Sequence, residues 1–199
     1  WTSMFGGDGG DCAADQSDSN YFYGEYVYLQ IHRSSNGGLS SSYITGGLGD
    51  AGLPDSNGVR QAFFPPDSKT LPGNDPDGGS PSGDPDSAAN FIAPFILDPN
   101  NFNTLLAGGS NLWRSVNVKA ATPTWTNIKP GANGSFISAI AVAKGNSDII
   151  WVGHDDGDVY STANGTAANP TWTRRDLGSP NLPNRECTRL TIDPNNFNK

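Results

Sequence analysis

One hexapeptide occurs twice, and its spacing constrains the fold of this chain more than any composition figure does. Asp98-Pro99-Asn100-Asn101-Phe102-Asn103 returns unchanged as Asp193-Pro194-Asn195-Asn196-Phe197-Asn198, 95 residues later. Between the copies, Pro123-Thr124-Trp125-Thr126 returns as Pro170-Thr171-Trp172-Thr173 after 47 residues, half the longer spacing to within one residue. The chain is therefore built on a period of about 47 residues, the range of stacked or radially repeated architectures. Ala143-Lys144-Gly145-Asn146-Ser147-Asp148 falls midway as a third copy of the turn, and Ala14-Asp15-Gln16-Ser17-Asp18-Ser19-Asn20 is a fourth, divergent one.

Within each period the strand signals come in a fixed order. An apolar run (Phe91 to Leu97; Phe136 to Ala143) precedes the turn, and a second run (Thr104 to Ala107; Asp148 to Val152) follows it. A Gly/Asp/Ser hairpin leads to a short strand (Leu112 to Ser115; Val159 to Thr162), and Thr-Trp-Thr with polar alternation closes the unit. The first copy reads as Cys12 to Ala14, Tyr21 to Tyr26, Gln30 to Ser34 and Ser42 to Ile44. With 25 Gly and 15 Pro among 199 residues, little chain is left for helices. Four short strands per period predict an all-β fold, a β-propeller of about three four-stranded blades plus the first strand of a fourth. The blades fall at 1–45, 91–130 and 131–176, the fourth starts within 177–199, and 46–90 is an acidic Gly/Pro-rich insertion. An arc of that size is expected to be incomplete, part of a seven-bladed ring whose terminal strands need neighbours. Cys12 and Cys187, on inner strands of the first and fourth repeats, would then be too far apart to bridge.

Strand-Asp-Pro-Asn-Asn, a Gly-rich hairpin, Trp-Arg-Ser or Val-Tyr-Ser-Thr, and a closing Trp-Thr together resemble the secreted BNR or Asp-box propellers. That group includes sortilin-like domains, photosystem assembly propellers and xyloglucanase-type glycoside hydrolases. The Asp-box pattern is Ser-x-Asp-x-Gly-x-x-x-Trp. Here Ser34-Ser35-Asn36-Gly37-Gly38 keeps the turn without the Trp, and Ser161-Thr162-Ala163-Asn164-Gly165 reaches Trp172 after a longer loop. Gly6-Gly7-Asp8-Gly9-Gly10 also looks like secreted bacterial members of the group. The resemblance covers nearly the whole chain outside Gly46 to Asn90 and implies a secreted or cell-surface protein. It speaks for fold more than for activity.

Charge excludes one class of partner. The net charge of −8 lacks the basic stripe that releases counterions from a phosphate backbone, so nucleic acid is not expected. Seven acids against Arg60 and Lys69 between Ser41 and Asn90 place −5 of that charge in one quarter of the chain. No 18-residue apolar run is present, so no membrane span is expected.

Several residues are candidates for chemistry, each with a plainer alternative. Asp8 lies in a Gly-rich turn near the rim, and Asp155 and Asp156 follow His154, which makes these three the candidate catalytic carboxylates; Asx and hairpin turns use the same residues. Asp75, Asp77, Asp84 and Asp86 alternate with Pro and Gly as oxygen ligands for calcium would, though no bidentate Glu completes the loop. No other cofactor is called for. Tyr23, Tyr26 and Tyr28 belong to an aromatic cluster beyond the needs of the repeat and could stack on sugar rings. Asp15, Asp98 and Asp193 should cap the repeated turns, and Trp125 and Trp172 should pack between blades. His32 and His154 stand singly, so zinc is not supported.

No assignable carboxylate pair emerges, which favours a non-catalytic segment that binds or assembles with extracellular polysaccharide or protein. The remaining blades, of this or another chain, are the implied structural partners. A xyloglucanase-like glycosidase is the alternative, needing two carboxyls roughly 5–9.5 Å apart across a cleft. A cell-surface structural subunit is the third reading.

Overall fold

The computed structural model describes residues 3–6, 9–49, 89–131, 134–177 and 182–197. Among these there are twelve strands and no helix, arranged as three four-stranded antiparallel sheets. Sheet I comprises β1 (Cys12–Ala14), β2 (Phe22–Glu25), β3 (Ile31–Ser34) and β4 (Ser42–Tyr43). Sheet II comprises β5 (Phe95–Asp98), β6 (Asn101–Gly108), β7 (Leu112–Ser115) and β8 (Thr126–Lys129). Sheet III comprises β9 (Ile137–Ala143), β10 (Asn146–His154), β11 (Val159–Thr162) and β12 (Thr173–Arg174). Each is a simple meander in chain order. The first strands lie nearest one another, β1 against β5 and β5 against β9, so the three sheets fan out from a shared inner edge.

The order of the sheets follows from which faces are apolar. Leu105 belongs to the cluster that joins sheets I and II with Tyr23, Ile31, Ile44 and Phe95, whereas its neighbour Leu106 joins Leu112, Ile137, Ile150 and Val152 between sheets II and III. Sheet II is thus covered on both faces, which is why Thr104 to Ala107 reads as a continuous apolar run and not as an alternation.

Side chains at matching positions carry the stacking. Asp15 Oδ1 accepts the Ser17 amide at 2.7 Å, Asp98 Oδ1 the Asn100 amide at 2.8 Å and Asp193 Oδ1 the Asn195 amide at 2.8 Å, the Asx geometry that closes each turn. Trp125 Nε1 donates to Ile44 O at 2.9 Å, from sheet II to sheet I, and Trp172 Nε1 donates to Ile128 O at 2.9 Å, from sheet III to sheet II. Arg33 reaches forward to the carbonyls of Val118 and Ala120, and Arg114 to those of Gly165 and Ala167.

Residues 182–197 lie against sheet III without forming the inner strand expected there. A strand exists through its ladder, and this segment carries only the isolated bridge between Asp193 and Asn196. It is held by Cys187 N–H donating to His154 O at 3.0 Å, Ser138 Oγ donating to Cys187 O at 2.9 Å and Trp151 Nε1 donating to Phe197 O at 3.3 Å. Both thiols are unpaired, Cys12 exposed and Cys187 half-buried. Gly153 is dictated by this contact, since a Cβ there would overlap Cys187 Sγ. Gly153→Ala is accordingly expected to lever the segment away and speed alkylation of Cys187 while Cys12 reacts as before. An unchanged Cys187 rate would show that the segment is not held where it lies.

Candidate functional site

The β2–β3, β6–β7 and β10–β11 hairpins share one end of the sheets with the connections that lead from each sheet to the next. Charged residues that break the repeat collect there. Glu25 stands opposite Ile31 where the equivalent positions, Gly108 opposite Leu112 and Gly153 opposite Val159, are glycine.

Glu25 is 1% exposed. Its Oε1 accepts the Leu29 amide at 2.7 Å, its Oε2 accepts the Asp11 amide at 3.2 Å, and the Ala93 amide lies 3.2 Å from both oxygens. Burial dominates these bonds and raises its pKa to about 7. The carboxyl joins the entry to β1, the β2–β3 turn and the approach to β5, and it sits so close to Gly10 that a Cβ there would overlap it. The turn itself is unusual. Tyr28 (φ 50°) and Leu29 (φ 59°) are consecutive left-handed residues closed by Gln30 N–H to Val27 O at 3.0 Å, a type I′ geometry that normally takes Asn-Gly. Such backbone costs about 1–2 kcal/mol per residue and persists where surroundings impose it. Here Glu25 takes the Leu29 amide, and Tyr28 meets Phe91 edge-on at 5.4 Å while donating its amide to Phe91 O.

A second polar cluster occupies the same end of sheets II and III. Lys129, 4% exposed at the end of β8, lies 3.2 Å from His154 Nε2, and Ser135 Oγ lies 3.1 Å from His154 Nδ1. The ammonium also stands over the Tyr160 ring at 4.3 Å. Burial lowers the pKa of Lys129 to about 8, and burial with the neighbouring Lys129 charge lowers that of His154 to about 4. His154 is therefore a neutral imidazole at pH 7. Arg174 grips Asp176 through Nε at 2.9 Å and Asp158 through Nη2, and Tyr160 donates to Asp158 Oδ2 at 3.2 Å. The Tyr160 ring joins the two groups, since His154 also meets it at 5.6 Å.

The sequence-derived candidates fall differently. Asp155 Oδ1 accepts the Phe136 amide and Asp156 Oδ1 the Asp158 amide, both at 3.0 Å, so these carboxylates close the hairpin end. Asp8 lies outside the described residues, as do Asp75, Asp77, Asp84 and Asp86. Tyr23 and Tyr28 are 1% and 6% exposed and cannot stack on a sugar ring; Tyr26 is half-buried. The expected tyrosine platform does not form, because Tyr23 faces sheet II and Tyr28 sits in the Val27 to Gln30 turn against Phe91. Glu25 and Lys129 were not singled out, although the break in the repeat at Glu25 was a visible signal.

No protein-family model matches the chain, and no curated protein matches it. Among solved structures it is similar to an ancestral GH74 enzyme, with a TM-score of 0.58 at 17% identity over 100% of this chain. The architecture is propeller-like. At that identity the likeness shows fold alone, and the chain spans 22% of the length of that enzyme.

Proposed function

We propose that this chain is a portion of a secreted or cell-surface β-propeller of the BNR type, and that the hairpin end of its sheets is the ligand face of a binding module for extracellular polysaccharide. The observation that carries the reading is the segregation of roles. Repeated side chains, Asp15, Asp98, Trp125 and Trp172, serve turns and stacking, whereas Glu25, Lys129 and His154 depart from the repeat at one end of the sheets. A seven-bladed ring would supply the rest of that face. Assembly with the other blades would use the outer side of sheet I, where Phe5 stacks on His32 at 4.2 Å and His32 meets Tyr43 at 4.0 Å.

A glycoside hydrolase is the second reading, favoured by the fold likeness and by Glu25, a carboxyl half-protonated near neutrality. Against it, the described acids at this end are held by backbone amides or by Arg174, and Glu25 is enclosed. Electrophoresis of the chain through gels containing neutral β-glucans or xyloglucan tests both. Retardation without release of reducing ends is the expected result. Release of reducing ends that disappears in Glu25→Gln would transfer the assignment to the hydrolase, and migration unaffected by every polysaccharide would remove the binding reading.

A further inference from the structure

The two inter-sheet junctions, I/II and II/III, are built to one plan, and the second lacks a cation that the first contains. The correspondence is fixed by hydrogen bonds. Val118 N–H donates to Asn103 O and Lys119 N–H to Asn103 Oδ1; likewise Gly165 N–H donates to Asp148 O and Thr166 N–H to Asp148 Oδ1. Arg33 and Arg114 bracket these same loops, so Lys119 and Thr166 are equivalent. Strand register pairs Phe22 with Ser34 and Leu105 with Ser115, which makes Tyr21 equivalent to Thr104, Tyr23 to Leu106 and Asp15 to Asp98.

At the I/II junction the ammonium of Lys119 pairs with Asp15 and lies over the Tyr21 ring at 4.6 Å. Burial of Asp15 opposes its charge, but Lys119 and Ser17 outweigh that and hold its pKa near 2. At the II/III junction Asp98 is 4% exposed, its Oδ1 takes only the Asn100 amide, and among the described residues no lysine or arginine forms a salt bridge with it. Threonine has replaced the lysine, and threonine and leucine have replaced the two tyrosines. The volume they vacate is a cleft of about 190 Å³ bordered by Asp98, Thr104, Leu106, Arg114, Ser147 and Thr166. Asp148 stands where Asn103 does and Asn101 where Asp18 does, so the two junctions match in acids and the second lacks the ammonium that Lys119 supplies to the first.

We propose that the cleft between sheets II and III is a binding site for a primary alkylammonium group, taken up against Asp98 as Asp15 takes Lys119. The position of the missing side chain gives the ligand its shape: a single ammonium on an unbranched aliphatic stem, with the stem along Leu106 and the head at the buried carboxylate. Arg114 is committed to the carbonyls of Gly165 and Ala167 and leaves Asp98 to the incoming cation. A free diamine and a lysine side chain share this chemistry.

The test is titration of the full chain with n-butylammonium chloride, read from the amide shifts of Asn100, Asn101 and Thr166. Saturable shifts with a dissociation constant on the order of 1–10 mM are expected. Asp98→Asn, which keeps the oxygen that caps the turn, should weaken them about tenfold or more. Thr166→Lys should abolish them and raise the melting temperature, because the tethered ammonium fills the site. Parallel titrations with 1,5-diaminopentane and with an N-acetylated, C-amidated lysine identify the source, since the tighter of the two marks a free amine or a protein side chain. Equal shifts with potassium chloride or n-butanol, shifts unchanged in Asp98→Asn, or no saturable shift would overturn the proposal.

Discussion

Glu25→Gln is expected to remove a loss of stability that the wild type suffers as pH rises from 4.5 through 7. The folded pKa of Glu25, about 7, lies above the unfolded value of 4.5. The favourable contribution of its protonated form is therefore complete below pH 4.5 and is lost as pH rises through 7. The shift corresponds to roughly 3 kcal/mol across that window. A glutamine offers Oε1 to the Leu29 and Ala93 amides without ever ionising, so the variant should lack this decline. Denaturant melts at pH 4.5 and 7.5 provide the measurement. Wild type should lose ground to the variant between the two, and parallel profiles would show that the buried carboxyl does not govern stability there. The structural reason is that a charged Glu25 has three amide donors and no cation among its hydrogen-bond partners, so desolvation outweighs them.

How much of this was legible in advance depended on whether a residue obeyed the repeat. The strands did: runs beginning at Thr104, Leu112, Val159 and Cys12 became β6, β7, β11 and β1 with small shifts at their ends, because hydrophobic order and turn chemistry are both local. Trp125 and Trp172 were placeable from their 47-residue spacing, and the repeated aspartates from the Asx chemistry of Asp-Pro-Asn. The tyrosines were not. The break between Tyr26 and Gln30 was visible, but nothing in Val27-Tyr28-Leu29-Gln30 announces a left-handed turn, since its usual signal is Asn-Gly. That turn is imposed by Glu25 and Phe91, contacts 4 and 63 residues away from Leu29 and Tyr28. The Lys129–His154 contact was likewise illegible, because it joins the last strand of one sheet to the second strand of the next. Nor could the junctions be compared until hydrogen bonds set Lys119 beside Thr166. Departures from periodicity mark positions worth inspecting, but tertiary contact decides what each departure does.

Trp172→Ala should destabilise the chain by about 3 kcal/mol, the range for truncating a large aromatic in a core. Trp172→Phe should cost about 1 kcal/mol, because it forfeits chiefly the bond to Ile128 O. The half-buried ring packs against the cluster of Leu106, Ile137 and Ile150, so its loss removes apolar contact and a cross-sheet bond together. Trp125→Ala does the same at the I/II junction. In a linear stack, each junction couples only its two neighbours. Two local losses would add, giving a double variant weaker by about 6 kcal/mol. Sheet II belongs to both junctions, however, since Leu105 and Leu106 point to opposite clusters. Weakening both sides should free sheet II from cooperative unfolding and lower the denaturant slope as well as the midpoint. Urea melts of the two single variants and the double decide this. A Trp172→Ala variant within 0.5 kcal/mol of wild type would remove the tryptophan as a staple, as judged against the ordinary scatter of surface substitutions of about 0.5 kcal/mol. A double variant with an unchanged slope would show that the three sheets unfold as one unit through contacts other than these two rings.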